Sequence, residues 1–388
     1  MSKTGYHVFN TALGPCGIAW RGDLLVGTEL PGMTPAATGR RLAERFPTFV
    51  SQAPRGAAAR ARKALVLHLA GKPADLNAIA LDLDAQTPFR RSLYSAARAI
   101  PSGTTVTYGE LAQRLGKPGG MRAVGQALGA NPFPIIVPCH RVLAAGSKAG
   151  GFSADGGVTT KRYLLRIEGM PGQMPAGFDY DPWTAADCLR KADPKLGRVI
   201  ATIGPPRIEL RDTSSVFAAL SRAIVYQQLS GRAAGTIFAR LCALLPRGER
   251  DLNAEHIETL DVPTLRGAGL SHNKILALKD LAAHVLSGEV PELRALSALP
   301  DEEVIARLTR VRGIGRWTVE MLLMFRLGRA DVMAVDDLGL RQGHARILGN
   351  SGESTRSALA AYAERWRPYR SVAAWYLWRA VELARETA

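Results

Sequence analysis

A multidomain chain is predicted: a small α/β unit first, a helical core carrying a helix-turn-helix next, and an all-α domain last. Three observations predict it. At 388 residues the chain is long enough for two or three domains, each burying its own core. Its apolar pattern changes from short runs between turns, such as "GIAW" and "LLVGTEL", to helical spacing that no strand run interrupts in the second half. Between the two regimes, residues 169–182 ("GMPGQMPAGFDYDP") concentrate Gly, Pro and Met and break every period, which marks a linker.

Residues 1–85 read as the α/β unit, closed by the helical "AAARARKALVLHLAG". In residues 86–168, "FRRSLYSAARAI" is a helix that stops at "PSGTT", "TYGELAQRL" is a second, "GKPGG" is a turn and "MRAVGQALG" is a third. Two short helices about a glycine turn read as helix-turn-helix, with a plain αα-hairpin as the commoner alternative. The third helix carries Ala123, Gly125, Ala127 and Gly129, so its backbone is expected to approach another surface closely. Residues 183–388 form a helical series from "SVFAALSRAIVYQQLS" to "SVAAWYLWRAVELARE", without internal repeat or low-complexity tail.

With 47% hydrophobic and 22% charged residues the composition is that of a soluble globular protein. There is no run of ~18 apolar residues and no secretory core at the start, so a cytoplasmic, nucleoid-associated protein with no membrane partner is expected. The formal charge of +16 favours polyanions through counterion release. Cys16, Cys139, Cys188 and Cys242 lie far apart, which argues against a disulfide framework, a zinc finger or an iron-sulfur cluster. No metal or other cofactor is expected, and the chain is read as a monomer.

"NPFPIIVPCHRVLAAG" (131–146) sets Cys139 beside His140 after a short apolar run. A cysteine attacks only as thiolate, so Cys139 needs a base or a positive field. Neighbours on a strand point to opposite faces, so the pair must lie on a turn, which Pro138 favours, or be bridged by water. A histidine in that role needs an orienting partner. The candidate is Glu168, in the last turn of "TKRYLLRIEG", where the helix dipole disfavours an acid and some other reason must place it. Residue chemistry alone leaves a cysteine hydrolase and an alkyl acceptor both open.

The stretch "PIIVPCHRVL" resembles the active-site segment of the O6-alkylguanine-DNA alkyltransferases, a likeness running from about Phe89 to Gly169, with "GPCGIAW" also typical of the family. The resemblance implies a winged-helix-like core in which Cys139 takes the alkyl group irreversibly, His140 activates it and Glu168 orients His140. It further implies that Tyr108 presses on the target nucleotide's phosphate, Arg122 fills the place of the flipped base and Asn131 forms the hinge before the active-site strand. In "GGFSADGG", Ser153 would hydrogen-bond the flipped guanine, and Phe152 stands where some relatives have Tyr. Extrusion of the nucleotide is what the chemistry requires, because a base edge inside a duplex cannot reach a buried thiolate.

"VRGIGRWTVEMLLMFRLGRADVMAVDDLGL" joins a helix, a G-x-G hairpin and a second helix to two adjacent acids, Asp336 and Asp337. A G-x-G alone is usually a plain turn. Here Gly313 and Gly315 open a helix whose free N–H groups suit a phosphate, and an acid follows about two dozen residues on. The segment resembles the helix-hairpin-helix DNA glycosylases of the 3-methyladenine branch, from about Asp187 to Ala380, including "IVYQQLSGRAA", "LRGAGLSHNK" and "RWRPYRSVAAWYLW". The likeness implies that Asp337, with Asp336 as runner-up, stabilises an oxocarbenium-like sugar. It implies that Trp317, Trp378 and Met321 line a pocket for a cationic base, and that Gln228 or Leu229 wedges into the duplex. Bifunctional members carry a lysine where this chain has Trp317, so no strand cleavage is expected.

The expected function is therefore dual repair of alkylated double-stranded DNA: transfer from O6 of guanine to Cys139, and excision of N-alkylated purines such as 3-methyladenine and 7-methylguanine through Asp337. The alternative is an alkyltransferase whose C-terminal domain binds lesions without chemistry.

Overall fold

A computed structural model of the chain describes residues 4–147, 150–175, 177–210, 213–246 and 251–387. Strands β1 (Thr4–Thr11), β2 (Gly14–Arg21) and β3 (Leu24–Glu29) form an antiparallel meander, and β4 (Val50–Ser51) adds parallel to β1, giving the order β3-β2-β1-β4. Seven of the eight residues of β2 are buried, because helices cover it. One is α1 (Pro35–Arg45), started by the side chain of Thr34 accepting from the Ala37 amide and by Pro in its first turn. Another, α2 (Gly56–Leu69), buries Ala58, Ala61, Leu65, His68 and Leu69 at helical spacing. Helix α1 is not distinguished in the sequence, where its few apolar residues sit among three arginines.

The helical core follows with α3 (Pro88–Arg98), β5 (Val106–Thr107), α4 (Tyr108–Arg114), α5 (Met121–Gly129), β6 (Val142–Leu143) and α6 (Gly157–Ile167). A capping box fixes the start of α4: the Thr107 side chain accepts from the Glu110 amide, and the Glu110 carboxylate accepts from the Thr107 amide. Strand β6 pairs parallel with β5, which brings the segment after Cys139 against the entry to α4. The expected small-residue face of α5 is not one face. Residues two apart diverge by about 200° on a helix; accordingly Ala127 is buried in the core, Gly125 lies against the Tyr108 ring, and Ala123 and Gly129 are exposed.

After α7 (Pro182–Ala192) and α8 (Pro194–Ile203), a second body contains α9 (Val216–Tyr226), α10 (Gly231–Cys242), α11 (Ala254–Thr259), α12 (Val262–Gly267), α13 (His272–Leu286), α14 (Leu293–Ser297), α15 (Asp301–Leu308) and α16 (Arg316–Phe325). Side-chain caps at Ser215, Ser230, Asn253, Asp261 and Ser271 set five of these starts. The chain ends in α17 (Leu338–Ile347), α18 (Arg356–Ala363) and α19 (Arg370–Thr387).

Compactness divides the chain differently from the sequence. One unit is residues 1–209 with 338–388, and the other is 210–337. The stretch 169–182, whose residue 176 lies outside the described residues, separates no compact bodies. It is held by α6, where Arg162 donates to the Met174 carbonyl and Arg166 pairs with Asp181. Helix α8 packs on β2, and its joint with α7 is Asp193, which caps Lys195 and Leu196 with one oxygen and accepts from Trp366 Nε1 at 3.0 Å with the other. The seam is backbone on backbone: a Cβ at Gly14 would stand 2.5 Å from the Ile203 carbonyl, and one at Gly204 2.4 Å from that of Leu13. Among the described residues, no helix is long and apolar enough to cross a membrane.

Candidate functional sites

Cys139, His140 and Arg141 form a single 3-10 turn after Pro138, the turn geometry the adjacent pair required. The segment before it is strained: Ile135, a buried β-branched residue, has φ +77°, a conformation costing on the order of 1–3 kcal/mol. Asn131 holds it in place, donating from Nδ2 to the Val137 carbonyl at 2.8 Å while Oδ1 accepts from the Phe133 amide at 2.9 Å. Burial pushes the Cys139 thiol up, opposed by Asn131, the Lys161 charge and nearby backbone N–H groups.

Glu168 explains its own position at the end of α6. One carboxylate oxygen accepts from His140 Nε2 at 2.9 Å, His68 Nε2 at 3.1 Å and Arg141 Nη2 at 2.7 Å, and the other from Arg141 Nε at 2.9 Å. Its side chain is 1% exposed. Burial alone would raise its pKa, but bonds from His140 and His68, the His140 field and the bond from Arg141 hold it well below the usual carboxylate range. Because His140 donates through Nε2 to an ionised carboxylate, Nδ1 is its acceptor, and Nδ1 has no protein partner. His140 itself is lowered, by burial first, against the pull of Glu168.

Sequence reasoning missed three residues of this cluster. Arg141 follows the histidine directly and was readable as a carboxylate partner. His68 lies one hundred positions before Glu168, on α2, with no local signal. Lys161, on α6, is buried, donates from Nζ to the Val142 carbonyl at 2.6 Å and sits 5.8 Å from the centre of the Tyr108 ring. Burial lowers its pKa to about 8, and the Cys139 charge resists that shift. Lys161→Met is therefore expected to move the pH midpoint of Cys139 alkylation by iodoacetamide upward by roughly one unit. An unmoved midpoint would show that Lys161 does not act on the thiol.

Tyr108 is half-buried, its hydroxyl pKa raised by burial and then by the Cys139 charge. Arg122 is exposed in the first turn of α5. Ser153 donates to the Gly129 carbonyl at 3.2 Å, and Phe152 packs on the core.

The second cluster is built on the turn between α15 and α16. Gly313 takes φ +77°, and Gly315 caps α16 without a side chain. The Gly313 carbonyl accepts from Gln227 Nε2 at 2.9 Å, while Lys274 Nζ donates to the Val225 and Gln227 carbonyls at 2.6 and 2.9 Å. These bonds, absent from the sequence reading, pin the loop after α9 to the hairpin through Gln227 and to α13 through Lys274. That loop presents Gln228 in the left-handed region at φ +57° and Leu229 at 40% exposure. Trp317 is 44% exposed and donates from Nε1 to Asp337 Oδ2 at 2.9 Å. Asp337 is half-buried, Asp336 exposed, Met321 half-buried on α16 and Trp378 half-buried on α19. The described residues contain no cluster of three His, Cys, Asp or Glu side chains able to hold a metal ion.

Comparison with known proteins adds the following. Residues 88–170 match the model of the 6-O-methylguanine DNA methyltransferase DNA-binding domain, and residues 221–368 that of the HhH-GPD superfamily base excision DNA repair proteins. The chain is 41% identical over 165 residues to DNA-3-methyladenine glycosylase 1 of Schizosaccharomyces pombe, covering 42% of this chain and 72% of that one. It is 36% identical over 163 residues to the methylated-DNA–protein-cysteine methyltransferase of Mycobacterium tuberculosis, covering 42% of this chain and 91% of that one. A solved structure of the S. pombe 3-methyladenine DNA glycosylase in complex with abasic DNA is similar at 35% identity, covering 52% of this chain and 98% of that one, with a TM-score of 0.46.

Proposed function

Because the chain belongs both to the methylated-DNA–protein-cysteine methyltransferases and to the DNA-3-methyladenine glycosylases, we propose that it is a dual alkylation-repair protein acting on double-stranded DNA, as a monomer associated with the nucleoid. The observation that carries the first activity is Glu168, whose one oxygen holds His140 in the tautomer that leaves Nδ1 able to accept a proton. The thiol proton passes by way of a water to Nδ1. The sulfur then bonds to the alkyl carbon as the bond from that carbon to O6 breaks, and the electron pair enters guanine, which takes up a proton. The thioether that forms has no route back to thiolate, so each chain acts once. Helices α4 and α5, in a winged-helix-like arrangement, would approach the minor groove, with Tyr108 turning the nucleotide out and exposed Arg122 filling the gap.

In the second activity Asp337 faces the sugar of the extruded nucleotide. The glycosidic bond breaks with its electron pair leaving on the base, positive charge develops on the sugar, and the carboxylate stabilises it until water adds at the sugar carbon and gives up a proton to solvent. A base alkylated on a ring nitrogen is cationic and a good leaving group, so no strong general acid is required; Trp317 and Met321 would contribute to its pocket. The bond from Trp317 Nε1 supports Asp337 over Asp336, since it fixes one oxygen and aims the other. Gln228 or Leu229 would enter the duplex gap. With Trp317 in place of a lysine, the product is an abasic site and no strand is cut.

The test is to incubate excess methylated duplex with the protein and count two products per chain. One alkyl group on Cys139 and many free 3-methyladenine molecules are expected; no free base would mean a C-terminal domain that binds lesions without chemistry. Trp317→Phe, which keeps the ring and loses the bond to Asp337, is expected to slow excision about tenfold. Unchanged release would remove Trp317 from the positioning of Asp337.

A further inference from the structure

We infer that Arg207, which follows α8 and lies outside the matched methyltransferase segment, is a positioning residue for alkyl transfer: it braces the loop that carries Phe152 and Ser153 and the start of α6. This rests on the reading of Cys139 as alkyl acceptor. The geometry is specific. The guanidinium donates from Nη1 to the Pro31 carbonyl and from Nη2 to the Gly32 carbonyl, both at 2.8 Å, just after β3. Its aliphatic stem lies against Gly156, where a Cβ would stand 2.7 Å from Arg207 Cδ. Two residues on, Glu209 closes over Gly157, where a Cβ would stand 2.9 Å from Glu209 Oε1. Gly156 and Gly157 have φ of +77° and +46°, so the loop turns into α6 through two left-handed glycines whose conformational freedom an outside support restrains.

The brace is itself anchored. Trp183 Nε1 donates to the Pro206 carbonyl at 3.3 Å and the Tyr376 hydroxyl to the Gly204 carbonyl at 2.7 Å. Beside it, Arg41 holds Asp155 at 2.6 Å and donates to the Leu30 carbonyl at 2.8 Å, so the loop is clamped from two sides. What the loop sets is chemical. Ser153 and Phe152 precede Gly156, while α6, which begins at Gly157, carries Lys161 and ends on Glu168. A residue of the segment that the sequence assigns to the excision half would thus determine how the transfer half holds its base.

The test uses the full chain and the free base O6-benzylguanine as probe, with the rate of Cys139 alkylation followed against concentration. Arg207→Ala is expected to raise the half-saturating concentration about tenfold and to change the limiting rate less than twofold, because the pocket loop drifts while the thiol cluster stays in place. Alkylation of Cys139 by iodoacetamide, which needs no base pocket, should be unchanged. Arg207→Lys keeps the stem and one carbonyl bond and should recover most of the affinity. Wild-type half-saturation in Arg207→Ala would overturn the brace, as would an equal loss towards iodoacetamide, which reports general loosening. If the wild-type chain accepts no benzyl group and no methyl group from O6-methylguanine DNA, the acceptor reading falls and the brace falls with it.

Discussion

Glu168→Gln is expected to lower stability by about 3–5 kcal/mol and to abolish alkyl acceptance, because it removes the charge that a buried arginine and two imidazoles share. The amide keeps one acceptor oxygen but turns an N–H group toward donors, so at least one of Arg141, His140 and His68 loses its partner inside the core. The folded-state pKa of Glu168 lies below its unfolded value of about 4.3, so its contribution is complete above that value. It is lost as pH falls from there through the depressed folded pKa, where the unfolded chain binds a proton that the folded chain does not. The difference between wild type and variant should therefore be largest near neutrality and shrink in acid. Urea unfolding followed by exposure of Cys139 to a thiol reagent would measure it. Equal midpoints at pH 7 would show that the cluster does not stabilise the fold.

Asp337→Asn should reduce excision of 3-methyladenine by about 10²- to 10³-fold. The substitution is informative because an asparagine carbonyl still accepts from Trp317 Nε1, so the hydrogen bond survives while the charge does not. What is lost is stabilisation of the cationic sugar alone. Bases released per chain under substrate excess would report it, and one alkyl group per chain on Cys139 should persist. Excision at the wild-type rate would move the catalytic carboxylate elsewhere, with Asp336 the first alternative.

The parts of the site that were legible are those carried by short-range pattern. Cys139, His140 and Glu168 were read from a thiolate's need for a base and a base's need for an orienting acid, and the structure brings His140 and Glu168 to 2.9 Å. His68 was not legible, since on α2 it reads as one more position on a buried helical face. Lys161 was hidden for the converse reason: a lysine between threonines and an arginine looks solvated, yet it is enclosed and bonded to the Val142 carbonyl. The α5 reading failed on period, because small residues two apart share a face only in a strand. Gln227 was passed over for its neighbours Gln228 and Leu229, although it is the residue that ties their loop to Gly313.

The return of residues 338–388 to the compact unit begun by residues 1–209 governs how the chain can be made. Domains fold as units during synthesis, from the N-terminus onward. Here the first unit cannot be finished while residues 210–337 are emerging, since Trp366 and Tyr376, which bond Asp193 and Gly204, are translated after them. The intervening unit can close on itself first, leaving the bed for α17 and α19 open on the nascent chain. Truncation within α19 would therefore harm the half of the protein synthesised first, and the two repair activities would share one assembly step.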